Sequence, residues 1–536
     1  MWDVVIVGAG LSGLAAANHV LRKDAQLKII VLEGKDRVGG RTVSLKIPAA
    51  RGDDVWDLGG QWVGSTQTHV MDLIRELGLE VYPQYTEGKK VHHMGAPESK
   101  ARTYTGSLPF SSPLVLLDTT LFLWKIEKLC KTVSVEDPIS TPNALQYDSM
   151  TLHTYMEQHI WTKELQQNMG VCCRTLFGME PAQLSFLYFL VFATAAGGVL
   201  PLLGTESGSA QEFRVKGGTQ QLSEKLADQI GRENVLLGSA VTAIEQHSDV
   251  VQVRTATQSF PCRAVIVTCP PHLAAKIRYS PALPTERDLL TQCMPVGHLI
   301  KFIVTYPTAF WREKGFSGEV VVQNSTGCPF SVTFDATSPG GSPALVGFIA
   351  AEQASDWTVR TKDDRRNSVI HSLQKYLGPE ASVFIHYEEK DWAREEFSGG
   401  CPVNIMAPGM ISFYHPSLRK PCGRIFWAGT ETATLWCGYM SGAVQSGQRA
   451  ALQVLRHLAP ESLSPSDHEV AGASQSHLTQ RKTWATSPAP YRSTTLLAIT
   501  TVTLGAALLL ARPQLSRHLI GRALVFAQEV GFNNKP

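Results

Sequence analysis

A glycine-rich loop near the N-terminus constrains the fold of this chain more than any other feature. The GAGLSG motif of residues 8–13 follows the apolar run VVIV and precedes the amphipathic run LAAANHVL. Gly8 permits a tight turn, Gly10 (after Ala9) lets the backbone approach a pyrophosphate, and Gly13 lets helix and strand pack closely. The helix N-terminus then faces the phosphates with its partial positive charge. The motif predicts a Rossmann-like strand–helix–strand unit with parallel strands.

An acidic residue follows the loop at the spacing that such a unit requires. Glu33 ends the apolar run KIIVLE, 20 residues after Gly13. A carboxylate at this position accepts hydrogen bonds from ribose hydroxyls and disfavours a 2′-phosphate. The ligand is therefore predicted to be a dinucleotide other than NADP.

The chain is long enough for two domains, and its strand and helix patterns predict how they are interleaved. We assign residues 1–85, 216–285 and 395–460 to a discontinuous α/β nucleotide-binding domain. The insertions 86–215 and 286–394 are predicted to build an α+β domain of mixed sheet and helices. Within the second insertion, the runs HLIKFIVTY and PALVGFIAAE have the apolar character of strands.

The C-terminal region differs in composition from the rest of the chain. Residues 461–490 are rich in Ser, Pro, Thr, Gln and His, which predicts a linker. The next segment, Thr494–Ala511, has 18 residues without a charge and is flanked by Arg492 and Arg512. As a helix it would reach roughly 27 Å, close to the thickness of a bilayer core. Residues 491–536 are therefore predicted to form a C-terminal transmembrane anchor, and a buried core helix is the alternative.

Composition and charge exclude several other classes of protein. The net charge is +2, which gives no electrostatic reason to bind nucleic acid. The 10 cysteines have no regular spacing, so neither a disulfide framework nor a zinc site is expected. The N-terminus lacks the pattern of a secretory signal. The 16 histidines are dispersed, and the pair His92 and His93 is interpreted as a solvated loop rather than a metal site.

Two further glycine-rich motifs follow the nucleotide-binding unit. The first is RVGGRT, which contains Arg41, and the second is DLGGQW, which ends in Gly59, Gly60, Gln61 and Trp62. Glycines let the chain run close to a cofactor, and an arginine reaches a phosphate or a flavin edge. The combination of GxGxxG, an acidic residue and GGR closely resembles the FAD-binding amine oxidase superfamily.

A C-terminal motif makes the resemblance more specific. The run FWAGTETATLWCGYMSGA, residues 426–443, is similar to the second flavin-contact segment of monoamine oxidases. The resemblance implies that Gly429 and Glu431 lie beside FAD. It also implies that Gly438 to Met440 lie at a helix N-terminus near the pyrimidine end of the flavin, where the helix dipole stabilises negative charge. Tyr439 would be one wall of an aromatic pair in front of the flavin.

Lys301 and Cys401 extend the resemblance to the chemistry. In the family, the lysine matching Lys301 holds a water beside flavin N5. Cys401 lies in an SGGC motif after Trp392, and in monoamine oxidases the matching cysteine forms a thioether to the flavin. The resemblance therefore implies covalent FAD through Cys401, with Trp392 and Val241 as further cofactor contacts.

The chain departs from the family pattern immediately after that cysteine. Monoamine oxidases have a tyrosine there and this chain has Pro402, so only Tyr439 of the aromatic pair is kept. The rest of the substrate pocket is predicted to be mostly apolar. Its predicted lining residues, besides Pro402, are Leu176, Leu203, Gln221, Val322 and Val332.

The resemblance implies a reaction, a location and two rival functions. The substrate is a small amine, whose α-hydrogen passes to FAD, and water and O2 then yield an aldehyde, ammonia and hydrogen peroxide. A tail-anchored enzyme on the cytosolic face of the mitochondrial outer membrane is expected, with the endoplasmic reticulum and a homodimer left open. A polyamine oxidase with non-covalent FAD is one rival, and it would need carboxylates for distal ammonium groups. An FAD-binding membrane protein of weak activity is the other.

Overall fold

The glycine loop joins a strand and a helix, as the motif predicts. Strand β1 (Trp2–Val7) leads into the loop, helix α1 (Leu11–Lys23) leads out, and β2 (Ile29–Leu32) returns parallel to β1. The structure is a computed structural model, and it describes residues 1–106 and 112–473. These residues belong to one unit.

The described residues contain 20 strands and 17 α-helices. The remaining strands are β3 (Ser44–Ile47), β4 (Asp54–Asp57), β5 (Trp62–Val63), β6 (Val81–Pro83), β7 (Lys89–His93), β8 (Arg102–Tyr104), β9 (Phe213–Val215), β10 (Val235–Leu236), β11 (Ala243–Gln246), β12 (Val251–Arg254), β13 (Ser259–Val267), β14 (Arg278–Ser280), β15 (Leu299–Thr305), β16 (Phe316–Val322), β17 (Val332–Asp335), β18 (Ala344–Ala350), β19 (His386–Asp391) and β20 (Ile425–Trp427). The remaining helices are α2 (Thr68–Glu76), α3 (Pro113–Cys130), α4 (Ala144–Asp148), α5 (Leu152–His159), α6 (Lys163–Phe177), α7 (Phe186–Ala195), α8 (Leu200–Leu203), α9 (Gln220–Ile230), α10 (Pro271–Ala274), α11 (Thr285–Cys293), α12 (Phe310–Glu313), α13 (Glu352–Thr358), α14 (Lys362–Leu377), α15 (Met410–Tyr414), α16 (Met440–Leu458) and α17 (Pro465–Ala473).

The first large sheet has eight strands and contains β1 near its centre. Its order is β10-β2-β1-β13-β12-β11-β14, and β20 pairs with β13. Strands β2, β1, β13 and β20 are parallel where they pair, whereas β12 is antiparallel to both neighbours. The C-terminal halves of β1 and β13, at residues 4–7 and 264–267, are buried because helices such as α1 and α16 cover the sheet. All eight strands come from the three segments predicted to bind the nucleotide.

The second large sheet has seven strands in the order β19-β15-β18-β17-β16-β7-β8. It is mixed, because β16 and β7 are parallel and the other pairs are antiparallel. One face packs into a core with helix α14, and that core includes Phe302 and Val322. The opposite face carries Lys301, Val332 and Phe348 toward a cavity. All seven strands come from the two predicted insertions, and the division into two domains stays a prediction.

Two expectations about surface segments require correction. Residues 465–473, in the predicted linker, form helix α17, where Lys23 Nζ and Asp467 Oδ2 lie 2.7 Å apart and Ala471 is buried. His92 and His93 are buried on β7 rather than solvated. Their ring nitrogens form hydrogen bonds with Asn168 and Tyr376, which take the place of water.

The predicted anchor at residues 491–536 lies outside the described residues. Within residues 1–106 and 112–473, no helix is long and apolar enough to span a bilayer.

Candidate active site

One cavity of about 1060 Å³ is lined by residues from both large sheets. This volume is at the upper end for ligand sites, which suits a cofactor and a substrate together. Most of the predicted site residues line it, namely Gly8, Gly10, Glu33, Arg41, Gly59, Gly60, Gln61, Trp62, Leu176, Leu203, Val241, Lys301, Val332, Trp392, Cys401, Pro402, Gly429, Gly438, Tyr439 and Met440.

Five predicted site residues do not line this cavity. Ala9, Gly13 and Glu431 contact residues that line it, namely Glu33, Gly8 and Arg41 in that order. Gln221 instead donates to the carbonyl oxygens of Lys216 and Gly218, so its assignment to the substrate pocket is wrong. Val322 is also placed wrongly, because it points into the core on the other face of its sheet.

The glycine loop shows why its three glycines are required. Gly8 has φ +105°, which a side chain would strain. A Cβ added to Gly13 would lie 1.9 Å from the carbonyl oxygen of Gly8, so the helix could not pack on the strand. A Cβ added to Gly10 would meet no protein atom closer than 4.0 Å, at Gly40 Cα. The backbone at Gly10 therefore borders open cavity space, as a bound pyrophosphate requires.

Two of the helix N-termini at the cavity wall, those of α1 and α16, lack side-chain caps. Helix α1 begins after Gly10 and helix α16 begins after Tyr439, and neither of these N-cap residues makes a side-chain hydrogen bond to its helix. First-turn N–H groups need acceptors and favour negative charge. The geometry fits a phosphate at α1 and an electron-rich ring at α16.

Glu33 is fixed by backbone donors at the end of β2. Its Oε2 accepts from Ala9 N at 2.7 Å and its Oε1 accepts from Lys35 N at 2.9 Å. A carboxylate oxygen has two lone pairs, so both oxygens keep capacity for ribose hydroxyls. Ala9 therefore serves the site through its N–H.

Arg41 connects its own segment to two residues of the C-terminal third of the chain, so it does not reach only toward a ligand. Its guanidinium donates to both carboxylate oxygens of Glu431, at 2.6 and 3.0 Å, and to the carbonyl oxygen of Pro402 at 2.8 Å. Burial acts to raise the pKa of the Glu431 carboxyl, but Arg41 outweighs it and holds that pKa below its ordinary value. The pair fixes the Gly429–Glu431 segment against the GGR motif.

Lys301 extends from β15 into an apolar part of the cavity. Its ammonium donates to Gly59 O at 2.9 Å and to Gln61 Oε1 at 2.8 Å. It also lies 5.6 Å from the ring centroids of Trp62 and Phe348. Burial lowers its pKa from 10.5 to about 7, against the opposing charge of Asp57.

The neighbourhood of Lys301 also contains an unused donor. The amide Nε2 of Gln61 is buried and has no hydrogen-bond partner among the described residues. A buried amide without a partner is costly, which indicates that a ligand or water completes it. Trp392 closes this region and donates from its indole to Leu58 O at 2.9 Å. These residues fit the polar edge of a flavin.

Cys401 lines the same region and is only 8% exposed. Its backbone N–H donates to Gly297 O at 2.9 Å, which fixes the loop. Burial raises the pKa of the Cys401 thiol to about 12, although Arg41 and Lys301 act in the opposite direction. The thiol is therefore protonated at neutral pH in this protein environment.

The aromatic wall contains Tyr439 without a tyrosine partner at Pro402. The Tyr439 ring packs against Trp436, with centroids 5.1 Å apart and near-perpendicular planes, and against Phe192 at 6.0 Å. Sequence reasoning did not identify Phe192. Tyr439 therefore has other aromatic neighbours that hold its ring in place.

Strand register identifies lining residues that the sequence patterns missed. Lys301 pairs with Phe348, Phe348 with Val332, and Val332 with Val321, so the four share one face of the sheet. Phe334 lies two residues after Val332 and also lines the cavity. Val321 pairs with Val332, which faces the cavity. Because side chains alternate between the two faces of a strand, Val321 also faces the cavity and Val322 faces the core.

A charged pair also lines the cavity among these apolar groups. Lys90 of β7 and Glu319 of β16 form an ion pair with Nζ and Oε2 2.9 Å apart. Nothing in the sequence patterns pointed to it, because the two residues are far apart in the chain.

Comparisons with known proteins agree with this geometry. Residues 11–455 match the family described as flavin containing amine oxidoreductase. The chain is 37% identical over 462 residues to amine oxidase [flavin-containing] A of Bos taurus, covering 85% of this chain and 86% of that protein. It is 37% identical over 457 residues to amine oxidase [flavin-containing] B of Bos taurus, covering 84% and 86%. Cyclohexylamine oxidase from Brevibacterium oxydans IH-35A superimposes with a TM-score of 0.79 at 32% identity, covering 85% of this chain and 99% of that structure.

Proposed function

Because the chain belongs to the flavin-containing amine oxidoreductase family, we propose that its cavity binds FAD between Gly8 and Met440 and oxidises amines beside Lys301. The chain is an FAD-dependent enzyme for the oxidative deamination of amines, which yields an aldehyde, ammonia and hydrogen peroxide. FAD supplies the electron-accepting chemistry, and the protein supplies binding, orientation and electrostatics. The observation that carries the proposal is one continuous cavity that joins the glycine loop to the buried Lys301.

The apolar wall is proposed to select the neutral form of the substrate amine. Phe192, Val321, Val332, Phe334 and Phe348 line this region. Burying an ammonium ion among such groups is costly, so the amine sheds its proton before it reaches the reacting position. The neutral nitrogen keeps the lone pair that oxidation of the adjacent carbon requires.

Lys301 is proposed to position a water molecule at the reacting edge. Gly59 O and Gln61 Oε1 accept two of its N–H donors. A neutral amine has two donors and one lone pair, so its lone pair remains for a water, whereas the charged form has a third donor instead. With a pKa of about 7, both forms are available near neutral pH.

Cys401 is proposed to attach FAD covalently. Its place in the cavity wall and the SGGC motif support this assignment. Acid precipitation of the purified protein tests it, with the yellow flavin expected in the pellet. In C401A the flavin should move to the supernatant, whereas C269A, which changes another cavity-lining cysteine, should retain it. Flavin in the supernatant of the wild type would contradict the covalent bond.

The C-terminal segment is proposed to anchor the enzyme in the mitochondrial outer membrane, facing the cytosol. Support comes from the uncharged Thr494–Ala511 segment and its flanking arginines. The full chain should stay with the membrane pellet after alkaline carbonate extraction, and a chain ending at residue 490 should not. Imaging against mitochondrial and endoplasmic reticulum markers distinguishes the two membranes. A homodimer, proposed from the family resemblance alone, is tested by light scattering of the detergent-solubilised chain.

A peroxide assay tests the function itself. The purified flavoprotein should release hydrogen peroxide when supplied with phenethylamine or serotonin. Spermine tests the rival function of a polyamine oxidase. Absence of peroxide with all three amines, despite bound FAD, would favour a binding protein without oxidase activity.

A further inference from the structure

The Lys90–Glu319 ion pair is the unexpected feature of the substrate end of the cavity. Its side chains are 9% and 12% exposed, and both line the cavity. The Tyr104 hydroxyl donates a long hydrogen bond of 3.5 Å to Glu319 Oε1. Removing two charged groups from water costs free energy, so a buried ion pair that lines a cavity indicates a binding role.

The sheet register gives the distance of this pair from the reacting end. Lys301 lies on β15, and three strand spacings separate β15 from β16, with β7 one spacing further. Glu319 lies two residues from Val321, on the cavity face of β16. At the usual spacing between strands, Glu319 lies about 14 Å and Lys90 about 19 Å across the sheet from the Lys301 strand. Both lie about 7 Å further along the strands, because they are two residues from the row that contains Lys301.

The ion pair retains hydrogen-bonding capacity on both partners. Among the described residues, the Lys90 ammonium has Glu319 as its one hydrogen-bonding or ionic partner, and an ammonium has three donors. Within the part of the chain that the structure describes, Glu319 Oε1 accepts only the long hydrogen bond from Tyr104. An alkyl group placed here would leave the remaining Lys90 donors and the weakly bonded Glu319 Oε1 buried without a strong hydrogen bond, which costs free energy.

The charges on the pair decide which substrates it accepts. A second ammonium would be attracted by Glu319 and repelled by Lys90, and a carboxylate would meet the reverse. A hydroxyl accepts from Lys90 and donates to Glu319 without adding charge.

We propose that the Lys90–Glu319 pair is a recognition subsite for the far end of the substrate and selects long amines with a distal hydroxyl group. The inference rests on the proposed function, because it takes the Lys301 end as the place of oxidation. It identifies a substrate class, hydroxylated long-chain amines, that the apolar wall alone does not select.

Matched amines of one length provide the test. The purified full-length flavoprotein is assayed for kcat/KM by peroxide release with decylamine, ω-hydroxydecylamine and decanediamine. We expect ω-hydroxydecylamine to exceed the other two by about 10- to 100-fold, the range for a hydrogen bond to a charged group. Equal values for the three amines, or a preference for the diamine, would overturn the subsite. Absence of peroxide with every amine would instead contradict oxidation in this cavity.

Variants separate the ion pair from the rest of the cavity. The double variant K90M/E319L replaces both charges together, which buried pairs tolerate better than loss of one partner. The ratio of kcat/KM for the hydroxylated and plain amines should fall to about 1, and an unchanged ratio would contradict the proposal. K90M alone leaves Glu319 unbalanced and should shift the preference to decanediamine, so an unchanged hydroxyl preference would also count against the subsite.

A control pair elsewhere shows that the effect is local. Lys362 of α14 and Glu388 of β19 form a more exposed ion pair, with Nζ and Oε1 2.8 Å apart, outside the cavity. K362M/E388L should keep the hydroxyl preference of the wild type. Loss of the preference in this control would mean that the ratio reports general stability, which would overturn the proposal.

Discussion

At the scale of single residues, Lys301 has the environment that most affects the chemistry. Its side chain is fully buried, yet no carboxylate of the described residues is in hydrogen-bonding contact with it, and it donates to Gly59 O and Gln61 Oε1. Neutral acceptors stabilise an ammonium less than a carboxylate does, so burial dominates and the pKa falls to about 7. The folded protein therefore holds a proton acceptor at the reacting end near neutral pH.

The stability of the wild type relative to a K301M variant should depend on pH, because the pKa of Lys301 is lower in the folded chain than in the unfolded chain. Between pH 7 and 10.5 the unfolded chain keeps the lysine proton that the folded chain releases. The free energy of unfolding of the wild type relative to K301M should therefore rise with pH in this window, by up to about 1.4 kcal/mol per pH unit. Below pH 7 the difference should be constant, because both states are protonated. Urea titrations of both proteins across this range measure it, and a flat difference would contradict the lowered pKa.

The same variant tests the role of Lys301 in catalysis. Methionine has a similar length but cannot hold a water by hydrogen bonds, so kcat should fall by about 100-fold or more, as for other positioned polar groups. Steady-state peroxide release from an amine measures the change. Wild-type kcat in a K301M protein with full FAD content would exclude the proposed role.

At the residue scale, the structure shows which of the predicted site residues reach the cavity, while their roles stay predictions. Lys301, Cys401 and Tyr439 line the cavity, whereas Val322 does not. A strand alternates its faces every residue, so a one-residue error in local alignment exchanges the core for the cavity. The Lys90–Glu319 pair was unpredictable, because contacts between distant strands depend on tertiary register.

At the scale of elements, the β1–α1 crossover and helix α16 build the cofactor end together. Helix α1 packs along α16, and Ser12 Oγ accepts from Gly429 N at 2.9 Å. The sequence predicted both helices, because glycine motifs and apolar periodicity are local signals. Their packing against each other is a tertiary contact between distant segments, and no sequence pattern predicted it.

The glycines of the crossover should separate folding from binding. G13A places a Cβ 1.9 Å from Gly8 O, so the apoprotein should lose about 3 kcal/mol or more of stability, as overpacked sites do. G10A is the matched control, since its Cβ meets no protein atom within 4.0 Å. Its apoprotein should keep its stability, but FAD should dissociate more readily because the methyl group occupies the phosphate position. Equal effects of the two variants on apoprotein stability would contradict this division.

The Arg41–Glu431 pair should make the cofactor end sensitive to acid. The pKa of the Glu431 carboxyl lies below its ordinary 4.5, so the pair stabilises the fold above that pH and is lost as the pH falls below it. E431Q breaks the buried pair and should destabilise the protein by about 3 to 5 kcal/mol at neutral pH. Thermal unfolding from pH 7 down to pH 3 measures both effects. The variant should show a weaker loss of stability below pH 4.5 than the wild type, and parallel curves would contradict the assignment.

At the scale of the whole molecule, the cavity forms because the chain returns to its first large sheet twice. Glu33 follows a strand of the first large sheet and Lys301 lies on a strand of the second, and Cys401 and Gly429 come from the C-terminal third of the chain. The strands of each large sheet fall within the segments that the sequence pattern grouped together, although the sequence identified only some of those strands. The sequence did not show that part of the predicted linker forms helix α17, because the composition of that segment is polar.

The central claim is that an amine in this cavity reduces bound FAD, and anaerobic reduction tests it most directly. Purified wild-type protein with FAD is mixed with phenethylamine, serotonin or ω-hydroxydecylamine without oxygen, and the visible flavin absorbance is followed. The claim predicts that at least one amine bleaches the absorbance, and that added O2 restores it with one hydrogen peroxide per flavin. An absorbance that stays unchanged with every amine, while dithionite still bleaches it, would contradict the claim.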